Sequence, residues 1–374
     1  MAASDGNGSF VWRATFHQLV IKLGLLLACV ELSASAAENA NIVTLRGLTM
    51  GSTWSAKYRP ATNTPPTRAV EQALQTRLDD LEQQMSTWRA DSVLSRFNAN
   101  RDTNWFPVPR DTALVVREAL SVSQLTDGAF DVTVFPLVEL WGFGPGGKKG
   151  RAPGDAEIAS ALKRVGWQKL EARLDPPALR KSQADVAVDL SALCPGYASE
   201  GLGEVLASLG AKDFLVDVGG ELKARGDGAT GPGWRVGVER AGDLQSPSVA
   251  GGSMQDGGYK PPARGLAATL PLKDQSLATS GDYRNFFTLA RRRYSHHLDP
   301  RTGWPTESTI ASVSVVHPST MRADALGTGL TVLGFEKAWA LAKHEKLGVL
   351  FILRDGKRLT LRATEWWPRD EKKD

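Results

Sequence analysis

Residues 186–222 read VAVDLSALCPGYASEGLGEVLASLGAKDFLVDVGGEL, and the order of patterns in this stretch sets the reading of the whole chain. Val186-Ala187-Val188 is a short apolar run ending in Asp189, and a turn leads from it into a helical segment that stops at Gly210. A second apolar run, Phe214 to Val218, ends in Gly219-Gly220-Glu221. Short apolar runs bounded by turn residues read as strands, so the stretch predicts strand, turn, helix and strand. One strand exit carries a carboxylate. The other carries two residues without a Cβ, where another group can approach the backbone closely. An ordinary strand–helix–strand unit would read the same way, so the chemistry has to come from the rest of the chain.

Outward from this stretch the pattern stays mixed. Asn41 to Tyr58 alternates as a strand pair around Met50-Gly51-Ser52. Pro66 opens a helix whose apolar residues Val70, Leu74, Leu78, Leu81 and Met85 share one face. Asp111 is placed to cap a second helix, which runs to Leu125 and ends at Asp127-Gly128. Gly142–Asp155 and Ala241–Gly265 are Gly-rich stretches that read as surface loops or lids. Towards the end, Ala311–Val316 is a strand, Met321–Leu333 and Glu336–Glu345 are helices, and Val349–Leu353 pairs with Arg358–Leu361 across Asp355-Gly356. There is no βαβ rhythm, so the fold class is α+β, a mixed sheet and helix architecture.

Of the 374 residues 42% are apolar and 23% charged, which are globular values. A net charge of +4, with no basic run longer than Arg291-Arg292-Arg293, excludes a nucleic-acid surface but suits a phosphate-bearing ligand. Residues 1–36 read as an export signal: Arg13 and Lys22 lie in a basic region, Leu23 to Val30 is a short apolar core, and Ala34-Ser35-Ala36 is a small-residue cleavage pattern. Leu26-Leu27-Ala28-Cys29 also resembles a lipoprotein signal ending before Cys29, so cleavage after Ala36 and lipidation at Cys29 both stay open. The expected location is periplasmic, with anchoring to the inner membrane if Cys29 is lipidated. The folded domain is read as 41–365 and the charged tail as 366–374. Cys194 is the other of the two cysteines, and a single thiol there reads as a small buried residue.

The motifs carry a resemblance. Asp189-Leu190-Ser191-Ala192 followed by Gly196-Tyr197-Ala198 and Asp217-Val218-Gly219-Gly220-Glu221-Leu222 resembles the ApbE family of FAD:protein FMN transferases, whose fold is T-fold-related. Met50-Gly51-Ser52 is similar to that family's MGT. Met85-Ser86-Thr87-Trp88 with Asp91-Ser92 and Leu94-Ser95-Arg96-Phe97-Asn98 is similar to its MSTY-x-x-DSELSRFN. Gly128-Ala129-Phe130-Asp131-Val132-Thr133 with Leu140-Trp141-Gly142-Phe143-Gly144 resembles GAFDIT and LWGFG. Ala278-Thr279-Ser280-Gly281-Asp282-Tyr283, then Tyr294-Ser295-His296-His297-Leu298-Asp299-Pro300-Arg301-Thr302-Gly303, resemble ATSGDY and YSHIIDPRTG.

The resemblance implies a site. Met50, Trp88, Ala129, Phe130, Asp131, Asp189, Pro195 and His296 fall on flavin-nucleotide positions, with Trp88 in place of the family's stacking Tyr. His296 is the candidate to accept a hydroxyl proton or steady phosphoryl oxygens, and His297, which replaces an apolar residue, has no assigned role. Asp324 and Thr328 lie four apart on one helix face and could supply hard oxygen ligands, but the same spacing fits an Asp324 that merely faces water and a Thr328 that back-bonds to the helix. Their text, ADALGTGL, resembles ADALATAL, whose Asp and Thr bind a metal. Ala192 falls on the family's carbonyl ligand, and the Gly327 carbonyl is a further candidate. Mg2+ is the implied cofactor and FAD the implied substrate. The implied partner is an acceptor subunit of a membrane-associated redox complex, whose Thr or Ser receives FMN as AMP leaves. Pro195 departs from the pattern, since the family usually has Lys or Glu there. Two alternatives stay open: an FAD pyrophosphatase, in which water replaces the acceptor hydroxyl, and a non-catalytic FAD-binding lipoprotein, which the Pro195 departure keeps alive.

Overall fold

The computed structural model describes residues 42–147, 151–229, 231–240, 265–282, 286–289, 292–356 and 358–368. The export signal, most of the Ala241–Gly265 stretch and most of the tail therefore lie outside the described residues.

An eight-stranded antiparallel sheet forms the centre, with strands in the order β1 (Val43–Thr49), β2 (Ser52–Tyr58), β6 (Phe214–Val218), β7 (Glu221–Arg225), β10 (Ser276–Gly281), β13 (Ile310–His317), β14 (Gly348–Asp355) and β15 (Arg358–Ala363). The expected first hairpin is present. Thr49 pairs with Ser52, and Met50 (φ 50°) and Gly51 (φ 69°) make the tight turn. β14 is apolar at almost every position because both of its faces are covered. Val349 and Phe351 point into the main core, whereas Leu350 and Ile352 join a second cluster with Trp234, Val236 and Leu270. That second cluster is built by a separate antiparallel pair, β8 (Trp234–Glu239) and β9 (Leu266–Leu272).

The main core lies between the sheet and helices α1 (Thr67–Met85), α3 (Arg110–Leu125), α6 (Cys194–Ser208), α7 (Thr320–Leu333) and α8 (Phe335–His344). The predicted α1 stripe, Val70, Leu74, Leu78, Leu81 and Met85, is buried throughout. α7 packs on β10 and β13, and α6 packs on α7. These contacts are close because their residues are small. A Cβ on Gly196 would sit 2.7 Å from the Thr320 carbonyl oxygen, and one on Gly327 would sit 2.8 Å from the Ser280 hydroxyl.

The remaining elements are peripheral. β3 (Phe106–Pro107), β4 (Leu170–Leu174) and β5 (Pro177–Lys181) form a three-stranded sheet in the order β3-β5-β4. β11 (Phe286–Leu289) pairs with β12 (Arg292–Ser295). α2 (Val93–Ala99), α4 (Phe135–Trp141) and α5 (Asp155–Leu162) complete the described helices. The Gly142–Asp155 stretch begins with Gly142 in left-handed backbone at the end of α4 and finishes at the start of α5.

Two expectations are corrected. Val186–Val188 is not a strand: 186–190 has no regular secondary structure, is mostly buried and belongs to no sheet. The turn and helix after it, and strand β6, are as expected. Asp111 does not cap α3, whose cap position is Pro109. Instead its carboxylate accepts from Arg77 Nη1 at 2.6 Å and from Tyr197 Oη at 2.7 Å, which ties α1, α3 and α6 together.

Candidate active site

A cavity of about 330 Å³ opens where the turn before α6, the Gly219-Gly220 turn, β10, α7 and the histidine segment meet. Ala129, Phe130, Asp131, Asp189, Ala192, Pro195, His296, Asp324 and Thr328 all line it. Residues 199 positions apart in sequence, Ala129 and Thr328 among them, therefore share one wall. Met50 and Trp88 do not line it: Met50 sits in the β1–β2 turn, and Trp88 is 67% exposed after α1.

Asp324 is the electrostatic centre. It is 7% exposed rather than water-facing, and its Oδ2 accepts from the Gly196 N–H at 3.1 Å. Burial, and then the nearby Glu221 carboxylate, push its carboxyl well above the ordinary range; the Gly196 bond offsets only part of this. Thr328, one turn further along α7, has its hydroxyl 3.3 Å from that of Ser280. A buried carboxylate raised by a second one, beside neutral hydroxyls and a turn carbonyl, fits a hard divalent cation that would compensate the charge. Among the described residues no cluster of three or more His, Cys, Asp or Glu exists. The donor set is thus mainly neutral oxygen, which suits an ion shared with phosphate. The Gly327 carbonyl accepts from the Thr331 hydroxyl at 2.8 Å and serves the helix.

Asp189 reaches the cavity from the 186–190 segment. Its N–H donates to Val132 O at 2.8 Å, and its Oδ1 accepts from the Ser191 N–H at 2.8 Å. Burial raises its carboxyl, against the pull of the Ser191 bonds. Asp131 has a different task from the one expected of a free ligand. Its Oδ1 takes the Thr133 N–H and hydroxyl at 2.8 and 2.7 Å, and its Oδ2 takes the Trp167 N–H at 2.7 Å, so it shapes the 3₁₀ turn Val132–Val134. Pro195 occupies the first turn of α6, where its missing N–H is harmless.

His296 lies against His297, with ring centroids 4.0 Å apart, and 6.4 Å from the Phe143 ring. His297 is buried and within 3.3 Å of the Ser295 hydroxyl. Burial, then His296, holds its pKa well below the usual value, so His297 stays neutral. The segment is braced from the α4 side: Trp141 donates to Gly303 O at 2.8 Å, and its ring lies 5.4 Å from that of Tyr294. Cys194 is buried, with Sγ 3.7 Å from Met85 Sδ, and burial pushes its thiol strongly up, so it is no nucleophile.

Glu221, His297, Ser280 and Ser52 also line the cavity without having been assigned chemistry from sequence. Glu221 and Ser280 stood inside quoted motifs, but nothing local showed that they would face Asp324 and Thr328.

The sequence model of the ApbE family matches residues 50–351. The chain belongs to the ApbE family. Similar curated relatives, each called FAD:protein FMN transferase, include that of Vibrio cholerae, 36% identical over 328 residues, covering 88% of this chain and 92% of that protein. That of Haemophilus influenzae is 34% identical over 336 residues, again covering 88% and 92%. Among solved structures, the apo flavinyl transferase ApbE of Pseudomonas stutzeri aligns with a TM-score of 0.76 at 35% identity, covering 87% of this chain and 96% of that one. The ApbE fold expected from the motifs is therefore the fold observed.

Proposed function

We propose that this chain is an FAD:protein FMN transferase that moves FMN from FAD to a Thr or Ser hydroxyl of a partner protein, with AMP leaving. The observation that carries this is the Asp324 site: a buried carboxylate, raised by burial and Glu221, in a cavity shared with Asp189 and His296. The hydroxyl oxygen bonds to the FMN phosphorus as the bond from that phosphorus to the bridging oxygen breaks, and AMP departs with that oxygen. Asp324 and Thr328, with the Ala192 carbonyl, would hold Mg2+, which when bound neutralises charge on the diphosphate.

The chain's own residues do the rest. Asp189 orients the nucleotide, Ala129 and Phe130 wall the flavin side, and His296 accepts the hydroxyl proton. Pro195 brings no cation to the phosphates, so the cation-binding residues of α7 carry more of the charge. Trp88, exposed beyond the cavity, offers an indole face to whatever part of the flavin the cavity does not enclose. The export signal read from residues 1–36 would bring the enzyme to the periplasm, where its acceptor would be a subunit of a membrane-associated redox complex.

Purified protein with FAD, Mg2+ and an acceptor domain tests this by AMP release and in-gel flavin fluorescence. Little AMP is expected from FAD alone and much more with acceptor, with flavin left covalently on its Thr or Ser. Asp324→Asn should lower the rate at least about 100-fold without lowering the melting temperature of the metal-free protein. The sign follows from the raised carboxyl: its stability contribution is present below the ordinary carboxylate range and lost as pH rises through the folded value, so a neutral amide forfeits nothing at pH 7. Rapid AMP release without acceptor, unchanged on adding it, would make the protein a pyrophosphatase. Slow release in both conditions with tight FAD retention would make it a binding protein.

A further inference from the structure

Segment 186–190 is mostly buried outside every sheet and helix, so its backbone needs hydrogen-bond partners that no neighbouring strand supplies. Turn-type backbone bonds satisfy the Val186 and Asp189 N–H groups and the Leu190 carbonyl, and two side chains supply partners for both groups of Val188 and for the Val186 carbonyl. Asn98, just before the end of α2, donates from Nδ2 to Val188 O at 2.8 Å and accepts the Val188 N–H on Oδ1 at 2.8 Å. A primary amide presents donor and acceptor side by side, and so copies one residue of a paired strand. Lys181, the last residue of β5, is fully buried. Its Nζ donates to Val186 O at 3.1 Å, Phe97 O at 3.1 Å and Asn98 O at 3.4 Å, and lies 5.1 Å from the centroid of the Phe97 ring.

One amine thus joins the segment to the same end of α2 that grips Val188. The next residue along is Asp189, whose carboxylate enters the cavity, and Ala192 follows. Neither Asn98 nor Lys181 lines the cavity. Burying a lysine is unfavourable: burial, helped by Arg101 and opposed by Asp185, pulls this amine down to about 8. An apolar side chain would fill the space at lower cost but would leave three carbonyls without this donor.

We propose that Lys181 and Asn98 are positioning residues for the nucleotide, a clamp that fixes the path of Val186–Val188 and thereby places the Asp189 carboxylate and the Ala192 carbonyl. This rests on the reading that FAD occupies the cavity. The clamp acts through Asp189, so its effect on FAD should vanish once Asp189 no longer contributes.

The test is a double-mutant cycle in the full chain, with FAD binding followed by flavin fluorescence and folding by circular dichroism. Lys181→Met is expected to weaken FAD binding about tenfold and to speed amide exchange in 186–192 at temperatures where the protein stays folded. In the Asp189→Asn background the same change should cause little further loss. Asn98→Ala should repeat the pattern, and decides the matter if Lys181→Met does not fold. Additive losses in the cycle, or a lowered melting temperature with unchanged FAD affinity and exchange, would reduce the clamp to general packing and overturn the proposal. Failure of the wild type to bind FAD would overturn it together with the functional reading. Additivity in a wild type that does bind overturns the clamp alone.

Discussion

Val349–Leu353 and Val186–Val188 are both short apolar runs, and both read as strands, yet the folded chain uses them in opposite ways. The first is in β14, paired on both sides by β13 and β15 and covered on both faces. The second is held by an asparagine amide, a lysine amine and a few turn-type backbone bonds, Val186 N–H to Gln183 O and Asp189 N–H to Val132 O among them. Backbone ladders fix a strand along its whole length, but they also occupy its edges. A segment held by side chains at single points can turn out of the core, and this one delivers Asp189 and Ala192 to the cavity. The sheet supplies stability, and the clamped segment supplies position.

If that division is right, damage to the two regions should separate. Phe351→Ala in β14 removes a fully buried ring that packs against Phe335 at 5.5 Å, and should cost about 3–5 kcal/mol of stability. FAD affinity of the folded fraction should not change. Denaturant unfolding beside flavin titration checks both, and a drop in affinity with little loss of stability would break the comparison.

Acid should sharpen it, because ladders do not titrate and the side-chain ties do. Burial works to raise the Asp111 carboxyl, but the bonds from Arg77 and Tyr197 outweigh it and hold the group below its ordinary value. The stability from Asp111 is therefore present above the unfolded carboxylate value and lost as pH falls through the lower folded one. Asp111→Asn should remove about 2 kcal/mol at neutral pH and flatten the acid limb of stability against pH. Urea midpoints across the acid range measure this, and parallel limbs for variant and wild type would exclude Asp111 from that role.

The smallest effect is expected at Trp88, which neither ladder nor clamp holds. Its N–H donates to the Ser86 hydroxyl at 3.1 Å while the indole is exposed. Trp88→Ala should weaken FAD binding about twofold to tenfold with no change in melting temperature. Unchanged affinity would remove Trp88 from the flavin site and confine recognition to the cavity.

Legibility followed the range of the forces. The β1–β2 turn, the α1 stripe and the β14–β15 hairpin are local patterns, and each stands where its pattern predicts. Motif resemblance named most of the cavity wall because those residues sit in recognisable short strings. Burial was not legible. Asp324 reads as a helix-face carboxylate, and only the Gly196 backbone, 128 positions away, together with Glu221 shows it to be enclosed. Asp111 reads as a cap because it stands near a helix start, whereas its partners come from α1 and α6.

Sequence alone determined the α+β class, the family and nine of the residues that line the cavity, because periodicity and motif are properties of neighbours along the chain. Tertiary structure alone decided which apolar run becomes a strand, which carboxylate is lifted by burial and that His297 stays neutral. Those outcomes depend on what a group is packed against, and for Val188 that partner is Asn98, 90 residues away.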